Sequence, residues 1–152
     1  MKLKIIHLED SVMKHIAISR VIGKMAQVDW VTDMASGIEK IDFSIENGTP
    51  YDLAITDMHY SLSPGTRADW KAGNLFIDAV NQNYNNLPVI ICSTHNVKNP
   101  KAYGSVWFSD LNDWENELKA LLYSMNNFKA LDKKEPWKRG DINEKKDKGA
   151  AS

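Results

Sequence analysis

The chain has 152 residues, 43% of them hydrophobic and 26% charged, with a net charge of −1. That is enough for one domain with a proper core, and it lacks the global charge that drives binding to nucleic acid or a membrane surface. Cys92 is the only cysteine, which excludes an internal disulfide and fits a reducing cytosol. The first residues are too short and too charged for a signal peptide, and no apolar run approaches membrane-spanning length. A cytoplasmic protein with no membrane and no nucleic-acid partner is therefore expected.

Residues 3–8 read as an apolar-rich first strand, closed by Glu9 and Asp10. A helix is predicted over 12–25, with Asp10 or Ser11 capping its first amides. Its apolar spacing points Val12, Ile16, Ser19 and Ile22 toward the sheet, flanked by Met13 and Val21. Residues 29–32 make a weaker second strand. A second helix follows over 35–46, with Ile38, Ile41, Phe43 and Ile45 as its apolar content, and Asn47-Gly48-Thr49-Pro50 stops it.

Leu53-Ala54-Ile55 is a short apolar run of the kind buried on both faces of a sheet, and Asp57 follows where that strand runs out. Residues 59–70 have turn chemistry and no period; a connection of that length usually does something or is mobile. A third helix is predicted over 73–83, with Leu75, Phe76, Ala79 and Val80 inward. The fourth strand covers 88–92 and is ended by Ser93-Thr94-His95. Residues 96–103 contain Pro100 and leave room for a brief helix at most. The fifth strand covers 105–108. The last helix runs over 112–126, with Trp114, Leu118, Leu121, Leu122 and Met125 on one face. The domain is placed at 1–128. Residues 129–152 form a charged tail with eight Lys or Arg against five Asp or Glu, net +3, leaving −4 for the rest. Disorder is expected over 133–152.

The alternation of strands and helices predicts an α/β fold: a flavodoxin-like, doubly wound, five-stranded parallel sheet with helices on both faces. Chemistry in such sheets sits outside the carboxyl ends of the strands. If the first and third strands are neighbours, Glu9, Asp10 and Asp57 converge there.

Four segments in this order resemble the receiver domain of two-component response regulators, over residues 2–125. They are Leu8-Glu9-Asp10-Ser11, the strand YDLAITDM ending in Asp57, Ala72-Gly73-Asn74-Leu75, and Leu87-Pro88-Val89-Ile90-Ile91-Cys92-Ser93. The resemblance implies that Asp57 accepts a phosphoryl group from a histidine kinase or phosphotransfer protein, with Mg²⁺ neutralising charge between carboxylate and phosphoryl oxygens. By the same resemblance Asp10, Asp57 and the backbone carbonyl of His59 coordinate the ion, Glu9 binds it through water, and Ser93 hydrogen-bonds the phosphoryl group. His59 and His95 stand two residues beyond Asp57 and Ser93, where the family controls the lifetime of the acyl phosphate.

Two departures stand out. The family's lysine at the end of the fifth strand is absent, its place taken by Phe108 or Ser109, with Arg67, Lys71 and Lys98 as candidate substitutes. The loop after Asp57 is longer than the family's by roughly eight residues, beyond an ordinary βα connection. With about two dozen low-complexity residues after the domain, too few for an output domain, a stand-alone receiver is expected. It would not be an enzyme, and would signal by contact with an unidentified downstream protein.

Plainer readings exist for each residue. Glu9 and Asp10 could be helix-capping acids, Ser93 and Thr94 strand ends, His59 and His95 ordinary loop histidines, and Cys92 a small buried hydrophobe. Trp70 and Trp107 are packing residues or a partner's anchor. For the whole chain, the alternative is a degenerate receiver that binds protein without being phosphorylated. A small Mg²⁺-dependent phosphatase would resemble a strand ending in two aspartates two apart, and Asp57-Met58-His59 lacks the second.

Overall fold

The computed structural model describes residues 2–134, with side chains as far as residue 127. The expected tail over 133–152 falls outside the described residues from 135 onward. The chain divides into two compact units, residues 2–119 and the part from Ala120 onward.

The first unit carries β1 (Leu3–Leu8), α1 (Val12–Ile22), β2 (Ala26–Val31), α2 (Met34–Glu46), β3 (Leu53–Thr56), β4 (Tyr60–Ser61), β5 (Ala68–Asp69), α3 (Ala72–Asn83), β6 (Val89–Ser93) and β7 (Gly104–Trp107). It also holds the start of α4 (Trp114–Lys134), whose continuation is the described part of the second unit. That helix runs past the expected end at 126. None of the described helices is long and apolar enough to cross a membrane.

Five strands form a parallel sheet in the order β2-β1-β3-β6-β7. This is the flavodoxin-like order expected from the alternation of elements, and it makes β1 and β3 neighbours. β3 and β6 are buried at every position, as a strand covered on both faces must be. Right-handed crossovers set α1 on one face and α2 with α3 on the other.

Side chains alternate along each strand. Ile6 and Leu8 of β1, Ala54 of β3, and Val89 and Ile91 of β6 join the cluster that holds Ile41 of α2 and Phe76, Ile77 and Val80 of α3. The odd positions of β1 and β3 therefore face α1: Ile5, His7 and then Glu9; Leu53, Ile55 and then Asp57. Register carries this to the edge, with Ile5 opposite Leu53 and His7 opposite Ile55.

The helix faces differ from expectation in two places. On α1 the buried residues are Lys14, Ile18 and Ile22, while Val12, Met13 and Ile16 are exposed. A spacing of four sets the stripe, and Lys14 belongs to it. On α3 Ile77 is buried and Leu75 is exposed. β2 begins three residues earlier than its apolar content suggests, because Leu3 of β1 pairs with Ala26.

The segment after Asp57 is not a structureless loop. β4 and β5 pair antiparallel as a small hairpin. Tyr60 anchors it, fully buried, with its hydroxyl 2.7 Å from that of Thr56. Ser61 bridges to Asp33, and Ala35 N–H donates to the Leu62 carbonyl at the start of α2. At the turn Gly65 has φ +78°, a conformation side chains resist.

Candidate functional site

β1 and β3 end side by side, and their last residues deliver the site. Asp57 N–H donates to the Leu8 carbonyl at 3.0 Å, and Glu9 N–H to the Val31 carbonyl at 3.0 Å. Carboxylate oxygens of Glu9, Asp10 and Asp57 lie within 4.8 Å of one another. They line a cavity of about 560 Å³ together with His59, Trp70, Thr94, His95 and Phe108. A larger, apolar groove between α2, Leu62 and Leu75 has Glu39, Asp42 and Glu46 among its lining residues, and it brings no comparable set of reactive groups together.

The three acids differ in environment. Glu9 is fully buried. One of its oxygens accepts from Ser11 N–H at 3.1 Å, and Trp30 Nε1–H donates to its backbone carbonyl at 2.7 Å. Ser11 itself caps α1, accepting from Lys14 N–H at 3.2 Å, so Asp10 is not the cap. Asp10 stands exposed at the rim. Asp57 is partly buried between them.

The sequence reading missed the fourth member. The ammonium of Lys14 lies 2.9 Å from Glu9 Oε1 and 3.1 Å from Asp57 Oδ1, on a side chain that is only 6% exposed. It also sits 5.6 Å above the Phe108 ring. Arg67, Lys71 and Lys98, the expected substitutes, are exposed; the cation that reaches Asp57 comes from α1 instead. The signal was available in the spacing: Lys14, Ile18 and Ile22 are four apart, and a lysine on the sheet-facing stripe of a helix is out of place unless it has a partner.

Burial pushes the Glu9 carboxyl up, to about 7, with the neighbouring Asp57 adding to the rise and Lys14 opposing it. Burial also disfavours the charge on Lys14, but Glu9 and Asp57 outweigh it and hold its pKa above the ordinary value. Two carboxylates and one ammonium thus form a tight cluster in which Lys14 stays charged. Beside it, burial raises the Cys92 thiol to about 12, so Cys92 is an inert small hydrophobe.

Ser93 ends β6, where its hydroxyl accepts from His95 N–H at 3.1 Å. It is buried, while Thr94 and His95 line the cavity. His59 stacks flat on Trp70, with ring centres 3.9 Å apart, and His95 meets the edge of Trp70 at 5.4 Å. The hairpin thereby sets an aromatic cap beside the three acids. Gly73 N–H donates to the Met58 carbonyl at 3.1 Å. A Cβ there would lie 2.6 Å from the Asp57 carbonyl oxygen and from Met58 Cα, so only glycine lets α3 start this close to the acid-bearing strand.

The donor set suits a hard cation. Asp10 and Asp57 offer carboxylate oxygens at an accessible rim, the ligand type Mg²⁺ prefers. Glu9 is already engaged by Ser11 and Lys14.

No family model matches the chain, and no curated protein matches it in sequence. Solved structures do match in fold. The N-terminal domain of a response regulator/sensory box/GGDEF three-domain protein from Carboxydothermus hydrogenoformans aligns with a TM-score of 0.59 at 22% identity, over 84% of this chain and 97% of that one. A response regulator receiver domain protein from Clostridium thermocellum gives 0.60 at 18% identity, over 85% and 98%. The chemotaxis response regulator CheY4 of Vibrio cholerae gives 0.57 at 19% identity, over 80% and 97%. The chain has the fold of response regulator receiver domains.

Proposed function

We propose that this chain is a signalling receiver that takes a phosphoryl group onto Asp57 from a histidine kinase or phosphotransfer protein and passes the signal on by contact with another protein. The observation that carries this reading is the meeting of Glu9, Asp10 and Asp57 within 4.8 Å at the carboxyl edge of the sheet, where they line a cavity of about 560 Å³. A cytoplasmic setting goes with it.

An Asp57 carboxylate oxygen attacks phosphorus. The new O–P bond forms as the donor's P–N bond breaks, and the bonding pair goes to the imidazole nitrogen, which takes up a proton. Asp10 and Asp57 would hold Mg²⁺, which when bound supplies positive charge against the phosphoryl oxygens. Glu9, tied to Ser11 and Lys14, fixes the position of the cluster. Ser93, which ends β6, would hydrogen-bond a phosphoryl oxygen once it arrives. The His59–Trp70 stack shields the acyl phosphate from water.

The test is intact-mass measurement after incubation with Mg²⁺ and acetyl phosphate, with Asp57→Ala as control. One phosphoryl adduct per chain, lost in the variant, is expected. No adduct in either protein favours the binding-module alternative, for which the absence of the usual lysine speaks. Turnover of many equivalents would indicate a phosphatase.

A further inference from the structure

We infer that Lys14 is the cation of the phosphoryl-transfer step, supplied from the first helix and not from the last sheet strand. The inference rests on the receiver reading. An ammonium that touches Asp57 Oδ1 at 3.1 Å touches the atom set that reacts. Its second contact, Glu9 Oε1 at 2.9 Å, holds it in place.

Three features make this a built arrangement and not a stray surface pair. Lys14 is buried, on the same stripe as Ile18 and Ile22. An ammonium removed from water stays charged only with close counter-charges, and here two carboxylates provide them. Finally, Phe108 stands at the end of β7, its N–H bonded to the Ser93 carbonyl at 2.7 Å, with its ring 5.6 Å from the ammonium. An aromatic ring at that separation favours a cation beside it. Phe108 is thus one of the two residues that stand where the resemblance would bring a lysine, and Lys14 brings its charge to that ring from the first helix.

Before transfer, Lys14 offsets the charge of Asp57 and Glu9. After transfer, the phosphoryl group adds negative oxygens next to Asp57, and the same ammonium can turn from the carboxylate to one of them without leaving Glu9. Asp10, exposed at the rim, stays available for a divalent ion. Cation and metal would therefore divide the acids between them: Glu9 is held by Lys14, Asp10 would be left to the metal, and Asp57 would serve both.

The experiment times adduct formation by intact mass, with acetyl phosphate and Mg²⁺, in wild type, Lys14→Met, and the swap Lys14→Met/Phe108→Lys, each checked for folding by circular dichroism. Lys14→Met should slow labelling at least tenfold, in keeping with loss of one charge-assisted contact to the phosphoryl group. The swap returns an ammonium from the last strand and should recover most of the rate. Binding of beryllofluoride, read by tryptophan fluorescence, should weaken and recover in the same order. Labelling of a folded Lys14→Met at the wild-type rate overturns the inference while leaving the receiver reading intact. If Lys14→Met does not fold, the swap decides: rapid labelling supports the inference, and a folded but unlabelled swap overturns it. An unlabelled wild-type chain overturns the receiver reading itself, and this inference with it.

Discussion

Lys14→Met removes the ammonium that Glu9 and Asp57 share. Glu9 is fully buried and the Lys14 side chain is 6% exposed, so loss of the ammonium leaves a carboxylate that is poorly solvated. Breaking one side of a buried ion pair typically destabilises by about 3–5 kcal/mol. For a domain of this size that corresponds to a drop of roughly 10–20 °C in Tm. The deficit should depend on pH. Burial already lifts the Glu9 carboxyl to about 7, above its unfolded value, and loss of Lys14 lifts it further. The folded variant then holds a proton that the unfolded chain has shed. Its handicap is greatest near pH 8 and shrinks as pH falls toward 6. Urea denaturation followed by circular dichroism at the two pH values measures this. Adding Glu9→Gln to Lys14→Met removes the stranded charge and should recover about 1–3 kcal/mol. A loss below about 1 kcal/mol for the single variant, or no gain in the double, would show that the cluster is not a coupled buried unit.

Further outcomes are expected at neighbouring positions. Gly73→Ala places a methyl group against the Asp57 carbonyl and Met58 Cα; it should cost about 1–3 kcal/mol in denaturant titration and slow adduct formation by displacing Asp57, and an unchanged labelling rate would contradict that close approach. Trp70→Ala and His59→Ala open the stack over the cavity. Each should shorten the life of the adduct after acetyl phosphate is removed, and decay at the wild-type rate in both would mean that the cap does not control water. Burial, with His15 and Lys14 adding to it, depresses the His7 imidazole to about 3. The unfolded chain takes up that proton below about 6.5 and the folded chain does not, so stability is full above 6.5 and falls with pH, by about 2 kcal/mol at pH 5. His7→Asn should flatten that part of the stability profile, and an equally steep profile would assign the loss to other groups.

The alternation of strands and helices, and the acids that close β1 and β3, were legible because both follow from short-range patterns; that β1 and β3 are neighbours stood as a condition until the structure supplied it. Apolar runs marked β1, β3 and β6, and acids placed directly after two neighbouring strands could only end at one edge. What was hidden depended on contacts across the fold. Lys14 is polar, so a stripe drawn from apolar residues alone ran through Val12 and Ile16, which are exposed, and passed over the residue that the sheet's acids pull inward. The same bias chose Leu75 over Ile77 on α3. The hairpin was invisible because its strands are two residues long and are held by Tyr60 and by the start of α2, not by a period of their own. The missing basic residue at the end of the last strand was plain in Phe108-Ser109, yet the substitutes were sought in loops near the active edge, since nothing in the sequence ties α1 to Phe108.

The central claim is that Asp57, within the cluster of Glu9, Asp10 and Lys14, receives the phosphoryl group. Peptide mapping of the adduct by tandem mass spectrometry tests it most directly. The account predicts a single hydroxylamine-labile acyl phosphate on Asp57 that forms only with a divalent cation present. An adduct on any other residue, or the same yield after Asp57→Ala, would contradict it.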